Sequence, residues 1–300
     1  MSLERLQLVN LRNLGRLDMA PGAGVNLVTG ANGSGKTSLL EGIHILGLGR
    51  SFRTRQLKNA IAHEHEGLTV FGRLAGNPPV PLGVERRRDA DGLTMRLAGE
   101  RVDRIAELAR RLPLQLINPD AFRLIEGSPA ARREFLDWGV FHMKHDFFDV
   151  WRRARRALKH RNALLRHDRI EDRTLALWSH ELARWSDMLD AYRRDYMAQF
   201  VPVFEATLAE LIDIPEMTLR YQRGWDRERS LGTLLEENLA TDRQMKFTQQ
   251  GPQRADLRLR VGRHPGVEVL SRGQQKLVVS AMKLARGDCW SSRTSSAASI

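Results

Sequence analysis

The sequence predicts an α/β fold in which strand-rich stretches flank a mostly helical middle. Three observations carry that expectation. An apolar segment at residues 25–29 runs into a glycine-rich loop and then into an amphipathic helix. Short apolar stretches separated by Gly, Pro and Asp fill residues 69–97. A seam of Leu175, Trp178, Leu182, Trp185, Leu189, Tyr192 and Tyr196 advances in alternating steps of three and four, the a/d spacing of packed helices.

In chain order, residues 3–9 alternate in part and predict a first strand, and residues 25–29 a second. Leu39, Leu40, Ile43 and Leu46 place one apolar face on the helix after the glycine-rich loop, and Gly47 and Gly49 end it. Residues 69–97 predict antiparallel strands joined by turns, with residues 78–81 (Pro-Pro-Val-Pro) in a loop or on an edge. From Pro129 to about Asp213 the pattern is helical. Trp151, Leu158 and Leu165 at spacing seven predict an upstream helix that pairs with the aromatic seam as an antiparallel hairpin, and Pro202 is expected to break or kink the second helix. A strand returns at residues 257–261, and Ser271 opens a last helix with Leu277, Val278, Ala281 and Leu284 on its apolar face. Residues 289–300 are rich in Ser and Ala and carry no usable period.

Composition narrows the function. The 300 residues are 42% hydrophobic and 28% charged, an ordinary globular balance. No apolar run approaches the roughly 20 residues of a membrane span, and the start lacks a basic segment followed by an apolar block. A cytoplasmic protein without membrane association is expected. Cys289 is the single cysteine, which excludes an internal disulfide. The net charge of +12 favours a polyanionic partner.

Gly30, Ala31, Asn32, Gly33, Ser34, Gly35, Lys36 and Thr37 match G-x-x-x-x-G-K-[ST]. Glycines allow successive N–H groups to converge on phosphate oxygens, and the helix that follows aims its positive end at the same anion. Lys36 is expected to reach the β- and γ-phosphates of ATP, and the Thr37 hydroxyl to ligate Mg²⁺. Ser271, Arg272, Gly273 and Gln274 form a second motif. Alone it is a capped helix start. Downstream of a phosphate loop it resembles the S-x-G-Q signature of ABC-type ATPases, in which the signature helix of one subunit faces the γ-phosphate held by the other. An ATP-dependent homodimer is therefore expected. Arg152, Arg153, Arg155, Arg156 and Lys159, with Arg161, Arg166 and Arg169 beyond them, form a basic run that reads either as a DNA-tracking face or as a solvated helix face.

Taken together, these segments make the chain resemble the RecF family, SMC-like members of the ABC ATPases. The resemblance covers about residues 1–287. Beyond the two motifs it is carried by Leu11-Arg12-Asn13, Gly49-Arg50-Ser51-Phe52-Arg53, Glu126-Gly127-Ser128-Pro129, Arg132-Arg133-Glu134-Phe135-Leu136-Asp137, Gln222-Arg223-Gly224-Trp225 and Gly251-Pro252-Gln253-Arg254-Ala255-Asp256-Leu257. Gln253 stands where the family usually has His. The resemblance implies an ABC-ATPase head with a mixed sheet, formed by residues 1–125 and 245–287, a helical lobe at 126–244, and an atypical tail at 288–300. It implies binding of single- and double-stranded DNA at gaps and junctions. It also implies cooperation with RecR and RecO in loading RecA, during recombinational repair, replication restart and the SOS response.

In the family an apolar strand ending in acidic residues follows the signature helix. One of its carboxylates helps hold Mg²⁺ and the next positions the attacking water. No such strand follows Gly287, and the tail resembles a shifted reading frame. ATP hydrolysis is therefore expected to be absent or weak. Two other readings stand beside the DNA-binding switch. One is a non-functional truncated product. The other is a transporter-type ABC ATPase, against which the basic helical insert argues.

Overall fold

The computed structural model describes residues 2–167 and 171–297. The chain divides into two compact units, one running through Leu114 and the other beginning at Gln115.

The first unit is a six-stranded sheet with helices on it. Its strands are β1 (Leu3–Leu11), β2 (Leu14–Met19), β3 (Gly67–Leu74), β4 (Val80–Arg87), β5 (Thr94–Leu97) and β6 (Glu100–Val102). Its helices are α1 (Lys36–Leu48) and α2 (Ile105–Arg111). Strand order is β2-β1-β3-β4-β5-β6 and every ladder is antiparallel. Period-two burial puts Leu68, Val70 and Leu74 of β3 and Leu82 and Val84 of β4 into one core with Leu6 and Leu8 of β1. α1 covers that core with Leu39, Ile45 and Leu46. Helix and sheet approach closely at Gly42, where an added Cβ would meet Leu8 at 2.5 Å. Leu40, expected on the apolar face, is 48% exposed. The helix ends at Gly49, whose φ of 59° is the left-handed cap, while Gly47 lies inside the last turn.

The expected antiparallel strands at residues 69–97 are present. Pro81 belongs to β4, an interior strand, but stands near its start, before pairing with β5 begins at Leu82. The second expected strand does not form. Residues 25–29 have no ladder partner among the described residues, and Val25 and Leu27 are 102% and 86% exposed. Without a neighbour to take its N–H and C=O groups, an apolar segment gains nothing from extension. The mixed sheet is accordingly not seen among the described residues.

The second unit contains α3 (Pro129–Met143), α4 (Phe147–Leu164), α5 (Asp172–Leu211), β7 (Met217–Gln222), α6 (Leu231–Glu237), α7 (Leu239–Met245), β8 (Asp256–Val261), β9 (His264–Pro265), α8 (Gly266–Val269) and α9 (Arg272–Ala297). Residues 245–287, expected to join the first 125, pack instead with this helical unit, since Val278, Val279, Ala281 and Met282 share a core with Phe135, Tyr196, Phe200 and Phe204. α4 and α5 form the expected hairpin. Leu175, Leu182, Leu189 and Tyr196 are buried. On α4 the buried stripe is Phe147, Val150, Ala154, Ala157 and Arg161; the expected Trp151 and Leu158 pack beside it, and the expected Leu165 is buried just past the helix end. The two alanines leave room for the partner helix.

α5 continues through Pro202 to Leu211 rather than breaking there. Pro202 and Ala198 are exposed, so water can reach the Ala198 carbonyl that loses its N–H partner. α9 likewise continues through the expected tail to Ala297, burying Cys289, while Leu284 is 46% exposed. Among the described residues no helix is long and apolar enough to cross a membrane.

Gly139 of α3 lies directly against the Tyr196 ring and hydroxyl. Gly139→Ala is expected to destabilise the protein by about 1–3 kcal/mol in urea denaturation. A neutral result would show that α3 and α5 separate easily. By contrast, Val25→Lys is expected to change stability by less than about 0.5 kcal/mol, as at other exposed positions.

Candidate nucleotide-binding site

The glycine-rich loop enters α1 directly. Gly30, Gly33 and Gly35 have φ of 146°, 83° and 99°, values that other residues rarely adopt. Gly35 is doubly constrained, because a Cβ there would meet Leu14 at 2.6 Å. Leu39 is the first helical residue whose N–H bonds back, to the Gly35 carbonyl at 2.9 Å, so the N–H groups of the first turn have no carbonyl within the helix to reach. Those groups and the helix dipole make a site for an anion. The Lys36 ammonium folds over the loop and donates to the carbonyls of Gly30 and Ala31, both at 2.8 Å. Thr37 is exposed beside it. Free first-turn donors, a cation on the loop and an exposed hydroxyl at the helix start fit a triphosphate with Mg²⁺. Lys36 would take the phosphate charge, and Thr37 would take the metal.

The loop is held from below by residues to which the motif itself gives no clue. Asn13, in the turn between β1 and β2, donates from Nδ2 to the Gly33 carbonyl at 2.7 Å and accepts from Ser38 Oγ at 2.9 Å. One turn on, Glu41 is fully buried. It accepts from Arg12 Nε at 3.0 Å and Nη2 at 2.8 Å, from Arg53 Nη1 at 3.3 Å, and from the Ser51 hydroxyl. Arg12 also donates to the Asn59 carbonyl at 2.7 Å. Burial raises the carboxyl pKa, but the hydrogen bonds from Arg12 and Ser51 and the charges of Arg12 and Arg53 outweigh it, and the net shift is downward. Leu11-Arg12-Asn13 and the Gly49–Arg53 segment thus acquire a role. They clamp the helix that carries the loop.

The second motif lies in the second unit, at the start of α9. The Ser271 N–H donates to Gln274 Oε1 at 2.9 Å, and the Gln274 N–H donates to Ser271 Oγ at 3.3 Å, a reciprocal capping box. Ser271, Arg272 and Gly273 are exposed, and Arg272 pairs with Glu126. A Cβ on Gly273 would meet nothing closer than Ser271 Oγ at 4.0 Å, so among the described residues no contact demands glycine there.

Arg152, Arg153, Arg155, Arg156 and Lys159 are all exposed on α4. Three of them lie over aromatic rings, Arg153 at 4.6 Å from Trp185, Arg155 at 5.1 Å from Trp151 and Arg152 at 5.8 Å from Phe148. Arg161 departs from that face. It is fully buried, paired with Asp242 at 2.7 Å and bonded to Thr248 and Ser179, so it holds the hairpin to α7 and the segment after it. Arg169 lies outside the described residues.

Residues 2–297 match the RecF/RecN/SMC N terminal domain family. The chain belongs to the RecF family. It is 68% identical over 287 residues to the DNA replication and repair protein RecF of Chromohalobacter salexigens, covering 96% of this chain and 80% of that one. It is 50% identical over 289 residues to the RecF of Pseudomonas paraeruginosa, covering 96% and 78%. Among solved structures, that of the recombination mediator protein RecF-ATP in the RecFOR pathway superposes with a TM-score of 0.84 over 95% of this chain and 79% of the other, at 22% identity. An Smc head bound to the C-winged helix domain of ScpA gives 0.54 over 95% and 76%, at 15% identity. These structures place the chain in the RecF and SMC head fold.

The Glu41 clamp yields a prediction with a defined pH dependence. Because the folded pKa is depressed, its contribution is present above the ordinary Glu value and is lost as the pH falls through the folded one. Glu41→Gln is expected to cost about 3 kcal/mol at neutral pH. The difference from the parent protein should shrink as the pH drops below 4.5, the ordinary value. Urea titrations across pH measure it, and a gap that widens in acid contradicts the assignment.

Proposed function

We propose that this chain is an ATP-binding, DNA-binding protein of recombinational repair and replication restart, acting as an ATP-switched dimer. The observation that carries the reading is the phosphate loop, with its free first-turn donors and Lys36 poised over it, in a chain 68% identical to a DNA replication and repair protein. ATP is the nucleotide and Mg²⁺ its metal, with Thr37 as the protein ligand. Ser271, Arg272, Gly273 and Gln274 meet the γ-phosphate held by a second copy. Support comes from the bare Gly273, whose missing side chain no contact among the described residues requires and which leaves the helix start open to close approach.

DNA is the polyanion for which the net charge of +12 is suited. The exposed basic run on α4 is one contact face, engaging gapped and junction DNA. RecO and RecR are the partners suggested by the pathway named for the ATP-bound structural relative, with RecA loading as the outcome and the cytoplasm as the compartment.

Two experiments test the proposal. Lys36→Ala should abolish binding of a fluorescent ATP analogue, whereas Ser271→Arg should leave that binding intact and abolish ATP-dependent dimerisation in analytical ultracentrifugation. Dimers that form equally well without ATP, or that survive Ser271→Arg, contradict the shared site.

A further inference from the structure

We propose that the solvent face of β7 and β8 is a second phosphate-tracking surface, which contacts the nucleic-acid backbone independently of α4. The inference rests on the DNA-binding reading above. β7 and β8 pair so that Thr218 faces Arg260, Arg220 faces Arg258 and Gln222 faces Asp256. Leu219 and Leu257 turn into the core. Arg220, Arg258 and Arg260 turn outward with Thr218 and line a groove of about 390 Å³ that also includes Glu216, Gln222 and Gly262.

Two arginines directly opposite one another destabilise a ladder unless something neutralises them. Among the described residues none of the three arginines has a carboxylate within ion-pair distance. The one acid inside the ladder, Asp256, is already engaged by Arg132 Nε at 2.7 Å and Nη2 at 3.1 Å. Glu216 lies at the far end, beside Gly262. The sheet therefore retains a like-charge cluster that costs stability and that a bound polyanion would relieve.

The lining also decides which polyanion. Sites for a free nucleotide are enclosed and largely apolar, with a surface on which the base can lie. This groove is lined by Arg, Thr, Gln and Glu, with no aromatic or aliphatic side chain to seat a base. Arg258 and Arg260, two apart on β8, are separated by roughly 6.8 Å along the strand, and Arg220 stands across the ladder from Arg258, so the three arginines are spread over a patch rather than gathered at a point. The arrangement suits a phosphodiester chain, contacted without regard to sequence.

The test compares three forms of the full chain by fluorescence anisotropy on a gapped duplex with ATP, over a series of salt concentrations. These are the parent protein, the variant R220Q/R258Q/R260Q, and a variant with all five α4 cations changed to Gln. The sheet variant is expected to keep its cooperative thermal transition and its ATP binding. Its plot of log K against log salt should be shallower by about 2.7, the loss of three phosphate contacts, with affinity reduced roughly tenfold or more. Inorganic phosphate at matched ionic strength should displace DNA no better than chloride. If the triple variant does not fold, R258Q alone should flatten the slope by about 0.9 and R258K should restore it. An unchanged slope in the folded sheet variant, alongside weakened binding by the α4 variant, overturns this proposal and leaves the DNA-binding reading standing. Selective displacement by millimolar phosphate also overturns it, by marking a small-anion site. A parent protein that binds no DNA at any salt concentration overturns both.

Discussion

A carboxylate cut off from water, Glu41, fixes the position of everything above it. A charge buried in that way is tolerated only when its oxygens are fully engaged, and Arg12, Arg53 and Ser51 engage them. Arg12 comes from the β1–β2 turn, and Ser51 and Arg53 come from the segment after α1. The ion cluster therefore joins two pieces of chain to one helix. Asn13 extends the same support upward to Gly33 and Ser38. The phosphate loop has little structure of its own beyond its three left-handed glycines, and it inherits its placement from this base.

The second unit uses the same device twice. Arg161 with Asp242, and Arg193 with Asp137, are arginine–carboxylate pairs in which the arginine is almost wholly buried. Each pins the α4–α5 hairpin to another segment. Arg193 also donates to the Pro252 carbonyl, so α5 is tied both to α3 and to the turn that leads into β8. Such pairs add little net stability compared with apolar packing, but losing one partner is expensive. They act as register marks for a core otherwise made of interchangeable apolar side chains.

What was legible in the sequence follows from which features are local. The phosphate loop, the Gly49 cap and the Ser271 cap could be placed because backbone conformation and hydrogen-bonding chemistry fix them within a few residues. The strands at residues 69–97 were marked by turn residues, and the heptad seam gave α5. The failures share a dependence on distant partners. Residues 25–29 have strand composition but no ladder partner among the described residues. Leu40 and Leu284 have the right spacing but look away from the neighbour that covers their helices. On α4, Leu165 is buried and Trp151 and Leu158 pack at the core's edge as their spacing predicts, but the centre of the stripe is hidden because Ala154 and Ala157 are small and Arg161 is charged. Arg161 reads as part of an exposed basic run, and Glu41 carries no signal at all, since nothing local announces the partners that bury them.

The resting place of Lys36 has a consequence for how a ligand is received. Its ammonium already lies within the loop, on two carbonyls that carry no formal charge. An arriving phosphate does not have to draw a free side chain out of solvent and order it. It competes with two weak acceptors for a cation whose conformational freedom was surrendered on folding. The entropic penalty of assembling the charged part of the site is thus met by the polypeptide in advance, so capture depends chiefly on exchanging one set of oxygens for a better one.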